Sequence, residues 1–260
     1  LLWGKAIGDN SYEFLCNAAV LTTNNDLITA GLYGFRSPLS LDPMIARFDS
    51  SGNLLWMKFY EDTTGFFTEF TPKDMVPTPD GNFVITGYSE NTNFNYDPQV
   101  IKINGNGDVL WAKRLYQISW QEYGLDILVD SQNNIVIAGN YNLSSDRGSF
   151  FASLDAAGNR LGAVGFKATA HSVGSYYEPH GQHLVELPGF GYSYGTMIST
   201  GGSDKYQCIL SGDYFGTFSC SAAGATYPFS IQDATWVPTT FTSLPGASTA
   251  ITGVPVSFTT

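Results

Sequence analysis

The chain has 260 residues and a formal net charge of −11, and charged residues make up only 13% of it. Its basic residues are scattered singly, which argues against nucleic-acid binding and against anionic membranes, because both need clustered cations. No apolar run approaches the ~20 residues of a membrane-spanning helix. A hydrophobic content of 43% with so little charge is typical of an extracellular or cell-surface β protein.

The phrase Leu-Trp-x-Lys occurs three times and defines an internal repeat. The copies lie at 2–5, 55–58 and 110–113, roughly 50 residues apart. A second motif, Asn-apolar-x-Ile-x-Gly or a close variant, recurs with the same period and ends at Gly31, Gly87 and Gly139. Two motifs with one period make a chance similarity unlikely, so the repeat determines the architecture.

Each repeat is predicted to contain four strands. In chain order, a short apolar run such as 27–30 follows turn residues, and a second run such as 44–48 ends at a Gly/Asn-rich turn. The Leu-Trp-x-Lys run then returns, and a less regular stretch such as 122–130 supplies the remaining strand. The repeat anchors are Trp3, Trp56, Trp111, Gly31, Gly87, Gly139, Gly52, Gly107 and Gly158. We interpret the tryptophans as apolar wedges between repeats.

Four strands in about 50 residues correspond to one propeller blade. The pattern Asp-x-x-Gly-Asn followed by Leu-Trp-x-Lys resembles the bacterial β-propeller repeats of the SBBP type, over residues 1–165 and more weakly to 220. The resemblance implies an all-β propeller at 1–220, with four blades of four antiparallel strands. It implies little about activity, because such repeats occur in secreted and surface proteins of many roles.

Both ends of the chain carry unpartnered strand sequences. Leu1–Lys5 matches the last strand of a repeat. Pairing of this strand with an irregular fourth repeat, whose motifs lie at 187–220, would close the ring. Donation of the strand to a neighbouring molecule is the alternative. Residues 221–260 are predicted to be a strand-like extension. They begin a second β domain, pack along their own propeller, or add a strand to a neighbour, and the last alternative is favoured slightly.

Three cysteines and one sequon are candidate modification sites. Cys208 and Cys220 flank a predicted hairpin turn symmetrically and are expected to form a disulfide. Cys16 lies in an apolar run and is expected to be an inert core residue. Asn142 begins an Asn-Leu-Ser glycosylation sequon in a predicted loop.

Motifs that suggest chemistry have structural explanations. Gly191–Gly195 matches G-x-S-x-G, but it lies where the repeat predicts a strand and no helix follows. His180 and His183 lie in a Pro/Gly-broken segment, which we interpret as a loop rather than a metal site. The oxygen-rich turn at 104–108 has the ligand chemistry of calcium, although turn formation explains it without an ion. We therefore expect no cofactor.

The sequence predicts a non-enzymatic structural or adhesive propeller, secreted or at the cell surface. Self-association through its terminal strands would assemble a filament or layer. The alternative is a propeller that binds a glycan or protein through aromatic side chains, with these candidates: Tyr60, Trp120, Tyr123, Tyr176 and Tyr177. A hydrolase or lyase is the third and least favoured hypothesis, because no paired acids or triad stand at matching repeat positions.

Overall fold

The computed structural model describes most of the chain up to residue 241. The described ranges are 12–36, 39–62, 67–91, 95–116, 121–143, 146–166, 183–199, 205–212, 225–226, 230–233 and 236–241. They contain 18 β-strands and no helix, so none of them forms a helix that could cross a membrane. The prediction of an all-β protein is confirmed.

Four antiparallel sheets are built from strands that are consecutive in the chain. The first sheet contains β1 (Tyr12–Leu21), β2 (Leu27–Arg36), β3 (Leu39–Phe48) and β4 (Leu54–Asp62). The second contains β5 (Phe67–Pro77), β6 (Phe83–Asn91), β7 (Tyr96–Ile103) and β8 (Val109–Tyr116). The third contains β9 (Gln121–Val129), β10 (Ile135–Leu143), β11 (Asp146–Leu154) and β12 (Arg160–Phe166). The fourth contains β13 (Leu184–Leu187), β14 (Gly191–Ser199) and β15 (Lys205–Gly212).

The C-terminal extension runs back over the first three sheets. Its strands are β16 (Ala225–Thr226), β17 (Ser230–Asp233) and β18 (Trp236–Phe241). They pair antiparallel with β12, β8 and β4, which are the last strands of the third, second and first sheets. The described strands of the extension therefore pair with sheets of their own chain, and residues 242–260 lie outside the described part.

A β-bulge in the first strand of each of the first three sheets explains the anchor glycines. The pairing register shifts at Cys16/Ala18 in β1 and at Pro72/Asp74 in β5, opposite Gly31 and Gly87. A Cβ atom on Gly31 would lie 1.7 Å from a backbone oxygen of β1, and one on Gly87 would lie 2.1 Å from a backbone oxygen of β5. Only glycine therefore fits opposite the bulge.

The Gly/Asn-rich turns between the third and fourth strands share one hydrogen-bond pattern. In the turn of the first sheet, Asp49 Oδ1 accepts from the amides of Ser51 and Asn53. The turns at 104–108 and 155–159 repeat these bonds. The fourth turn residue is a glycine with positive φ in each: Gly52, Gly107 and Gly158. These turns define one end of the sheets, which we call the turn end.

Apolar side chains fill the spaces between successive sheets. Alternate residues of β3 point to opposite faces, so Ile45 packs with residues of the second sheet while Met44 and Ala46 face away from it. Similar clusters join the second sheet to the third and the third to the fourth. Met44, Ala46 and Met57 are nevertheless 0% exposed. The outer face of the first sheet is therefore covered as completely as its inner face.

Candidate functional site

Three tyrosines meet between the second and third sheets, at the end opposite to the turn end. We call Tyr88 of β6, Tyr96 of β7 and Tyr123 of β9 the tyrosine cluster. The ring centroids of Tyr88 lie 5.5 Å from Tyr96 and 5.0 Å from Tyr123, both in edge-to-face contact, and Tyr96 and Tyr123 are 5.3 Å apart. All three side chains are half-buried, so part of each ring is open to solvent.

A glycine allows this cluster to form. A Cβ atom on Gly124 would lie 2.6 Å from Thr86 Oγ1 and 2.8 Å from the backbone oxygen of Gly87. Because Gly124 has no side chain, β9 approaches β6 closely enough to bring Tyr123 against Tyr88. Rings in edge-to-face contact gain about 0.5–1.5 kcal/mol beyond their buried area, so these contacts stabilise the arrangement of the three rings.

Lys73 adds a cation to the tyrosine cluster. It is the bulge residue of β5, and its Nζ lies 5.2 Å from the ring centroid of Tyr88. Burial lowers the pKa of Lys73 because it removes water from the ammonium group. Within the part of the chain that the structure describes, this ammonium makes no ion pair and instead makes a cation–π contact with the ring of Tyr88.

An ion pair fixes the strands beneath the cluster. Arg114 of β8 donates to Asp97 of β7 at 2.6 Å, and both side chains are almost completely buried. The guanidinium also lies 4.4 Å from the ring centroid of Tyr116. Because Asp97 directly follows Tyr96, this buried pair holds the start of β7, and with it the Tyr96 ring, in place.

A pair of carboxyl groups lies where three sheets meet. Asp74 of β5 and Asp126 of β9 both accept a hydrogen bond from the amide of Ile127, at 3.1 and 2.8 Å. Asp126 also accepts from the amide of Leu184 in the fourth sheet. Burial, and then the neighbouring Asp74 carboxyl, hold the pKa of Asp126 well above its usual range. Asp126 therefore keeps its proton to a higher pH than an ordinary aspartate.

The carboxyl pair stands at matching positions of two repeats, so the expectation that no paired acids occupy such positions is wrong. The signal was available, because Asp74 and Asp126 each lie eight residues before the Asn of the next motif, Asn82 or Asn134. Their geometry is structural, since their oxygens accept hydrogen bonds from three backbone amides, those of Met75, Ile127 and Leu184. Glycosidases instead keep their two carboxyls about 5 Å or more apart with room for a sugar.

The repeat tryptophans contact the turn glycines of the next sheet. A Cβ atom on Gly107 would lie 2.8 Å from the Trp56 ring, and one on Gly158 would lie 3.3 Å from the Trp111 ring. Lys58 adds a 2.7 Å ion pair to Asp108 of the same turn. Trp56 and Trp111 are thus wedges between sheets. Trp3 lies outside the described residues, and Gly52 is buried in the turn where the repeat pattern would place the Trp3 contact.

The aromatic residues that the sequence suggested for ligand binding lie in different environments. Tyr123 lies in the tyrosine cluster. Tyr60 is 2% exposed and donates to the backbone oxygen of Gly107, so it is a core residue rather than a ligand-binding one. Trp120, Tyr176 and Tyr177 lie outside the described residues. Tyr88, Tyr96 and Lys73 were not proposed, because strand pairing rather than sequence proximity brings them together.

Two of the three cysteine and sequon predictions concern described residues, Cys16 and Asn142, and both need correction. Cys16 is exposed next to the bulge of β1, which corrects its assignment to the core. Desolvation nevertheless raises the pKa of its thiol, which disfavours the reactive thiolate. Cys208 is in β15, and Cys220 lies outside the described residues, as does the disulfide predicted between them. Asn142 is paired on both sides within β10 rather than lying in a loop.

The motifs that suggested chemistry form strands or turns wherever they fall within the described residues. Gly191–Gly195 lies in β14 between two partner strands, which confirms the strand interpretation. In the oxygen-rich turn, Asn104 and Asp108 hydrogen-bond to each other and to the turn amides. The described residues include no group of three or more His, Cys, Asp or Glu side chains suited to a metal ion. His183 is described, and His180 is not.

No protein-family model matches the chain, and no curated protein matches it. The likeness to SBBP-type repeats therefore remains a resemblance of motifs.

Proposed function

We propose that the chain is a four-bladed β-propeller that serves as a secreted or cell-surface adhesive module and binds a glycan or protein without catalysing a reaction. The observation that carries the binding proposal is the tyrosine cluster. Rigid, half-exposed tyrosines are the side chains that most often anchor a ligand or partner, because they offer large contact areas at little cost in conformational entropy.

The propeller itself is supported by the order and burial of the sheets. Each repeat forms one antiparallel sheet, and successive sheets pack face to face. The outer face of the first sheet is also buried, as a ring requires. In this proposal Leu1–Lys5 supplies the fourth strand beside β15, and Trp3 packs on Gly52 as Trp56 packs on Gly107.

The absence of catalysis is proposed on the chemistry of the carboxyl pair. Asp126 has a strongly raised pKa, but its oxygens and those of Asp74 accept hydrogen bonds from backbone amides and are not free for a substrate. A secreted location is proposed on composition, because the surface is poor in charge.

The binding proposal is tested with the full chain on an array of glycans and a panel of cell-surface proteins. Tyr96→Ala and Tyr123→Ala should each weaken the binding at least about tenfold. Phe190→Ala is the control, because Phe190 is an exposed aromatic side chain between β13 and β14, away from the cluster. Binding that survives both cluster substitutions, or no binding at all, would contradict the proposal.

Assembly into a filament or layer is a second candidate function. Among the described strands, β15 pairs with β14 alone, whereas β4, β8 and β12 each have partners on both sides. A strand from a neighbouring copy would extend the fourth sheet if Leu1–Lys5 does not. Electron microscopy of the purified full chain decides this: regular polymers support assembly, and single rings contradict it.

A further inference from the structure

We infer that the tyrosine cluster and Lys73 form one binding site for a sugar that carries a carboxylate. The inference rests on the proposed binding function and names the ligand class for the same surface. It combines three features of the described residues: the partial exposure of the three tyrosines, the bulge at which Lys73 lies over the Tyr88 ring, and the lack of an ion pair at Lys73.

The position of Lys73 distinguishes it from the other basic residues near the sheets. Lys58, Lys102 and Arg114 each make an ion pair with a carboxylate at 2.6–2.7 Å. Lys73 instead lies over an aromatic ring and is partly desolvated, as the lowered pKa of its ammonium group shows. A partly desolvated cation without a described counter-ion gains more from an incoming anion than a cation that is already paired.

The bulge gives Lys73 this role. The equivalent bulge residue of the first sheet, Asn17, donates to the backbone oxygen of Pro72 and ties two sheets together. In the second sheet the bulge residue is a lysine, and its head group lies on Tyr88 instead of in a contact between sheets. A bulge commonly redirects a side chain toward a functional surface.

The charge of the whole chain favours a single carboxylate over a polyanion. With a net charge of −11, the protein repels extended polyanions at long range, so the attraction must be local. In an acidic sugar, one ring carries both an apolar face for the tyrosines and a carboxylate a few ångströms away for Lys73. An acidic peptide offers its carboxylates on flexible side chains without a ring face, and it is the less suitable ligand.

The test compares acidic glycans with counterparts whose carboxylates are masked. The full chain is applied to an array that holds uronic-acid and sialic-acid glycans, the methyl esters of both, neutral glycans and acidic peptides. The expected result is that at least one acidic glycan binds about tenfold or more tightly than its methyl ester. This preference should shrink as the salt concentration rises.

Two substitutions at one position separate charge from packing. Lys73→Met keeps an apolar stem over Tyr88 and should remove the preference for the acid over its ester, whereas Lys73→Arg should retain it. Equal binding of acid and ester, unchanged in Lys73→Met, would overturn the inference even if Tyr123→Ala abolishes binding and so upholds the binding function. Tyrosine-dependent binding of acidic peptides alone would also overturn it, and binding that ignores the tyrosines would overturn both.

Discussion

At the scale of single residues, the contact between Trp56 and Gly107 makes a testable prediction about how the sheets are joined. Gly107→Ala should destabilise the protein for two reasons. Alanine is strained at a φ of 78°, which costs about 1–2 kcal/mol. Its methyl group would also press on the Trp56 ring, and overpacking adds about 1–3 kcal/mol. Chemical denaturation measures the change in unfolding free energy.

Gly81→Ala is the matched control for this prediction. Gly81 has nearly the same φ, 79°, but no atom lies within 4 Å of the place where its Cβ would be. Gly81→Ala should therefore show only the backbone strain. If the two variants lose equal stability, the tryptophan does not pack on Gly107 tightly enough to act as a wedge.

The carboxyl pair predicts how stability depends on pH. Because the folded state raises the pKa of Asp126, it retains a proton that the unfolded state releases above pH of about 4. The proton retained by Asp126 contributes to the stability of the folded state. This contribution is complete at acidic pH and is lost as the pH rises through the raised pKa of Asp126. The unfolding free energy of the wild type should thus fall between about pH 4 and about pH 8.

Asp74→Asn should flatten this decline. The amide removes a neighbouring negative charge and leaves the amide contacts of Asp126 in place. Asp108→Asn is a control with the opposite sign: hydrogen bonds from Lys58 and Asn104 lower the pKa of the exposed Asp108, so its contribution is lost on acidification instead. If the unfolding free energy of Asp74→Asn falls with pH as steeply as that of the wild type, Asp74 does not raise the pKa of Asp126.

At the scale of elements, the tail strands β16–β18 cover three sheet edges. Unpaired edges attract other strands, so a chain ending at residue 224 should self-associate through β4, β8 and β12. A chain ending at residue 241 keeps all three tail strands and should behave as the full chain does. Size-exclusion chromatography with light scattering measures the difference. Polymers that form only when the tail is present would instead show that the tail joins molecules.

The elements could be predicted from the sequence where local chemistry determines them. Anchor runs such as 27–30 and turns such as 104–108 follow from β-branched residues and from Gly/Asn preferences. The tyrosine cluster and the carboxyl pair could not be predicted from the sequence, because they depend on contacts between repeats. Tyr88 meets Tyr123 only because Gly124 lets two sheets approach, and Asp74 meets Asp126 only because β5 and β9 are neighbours. The tail carries no periodic pattern, so its pairing with earlier strands was left among alternatives.

At the scale of the whole molecule, the outer face of the first sheet tests whether the ring closes. Met44 and Met57 lie on that face and are fully buried, whereas an open row of four sheets would leave a terminal face in solvent. Met75 lies between the first and second sheets and is buried in either arrangement. Peroxide oxidises exposed methionines much faster than buried ones. The arrangement can therefore be read from the oxidation rates of these three residues.

In a closed ring, mass spectrometry should find Met44 and Met57 oxidised as slowly as Met75, in the full chain and in a chain ending at residue 241. A chain ending at residue 182 lacks the fourth sheet and the tail strands, and should expose Met44 and Met57 while Met75 stays protected by the second sheet. A chain ending at residue 224 lacks only the tail strands and measures their separate contribution, because β18 pairs with β4 beside Met57. Protection of all three in the shorter chain would show that another segment covers the first sheet. Rapid oxidation of Met44 in the full chain would contradict ring closure, because a closed ring leaves no sheet face in contact with solvent.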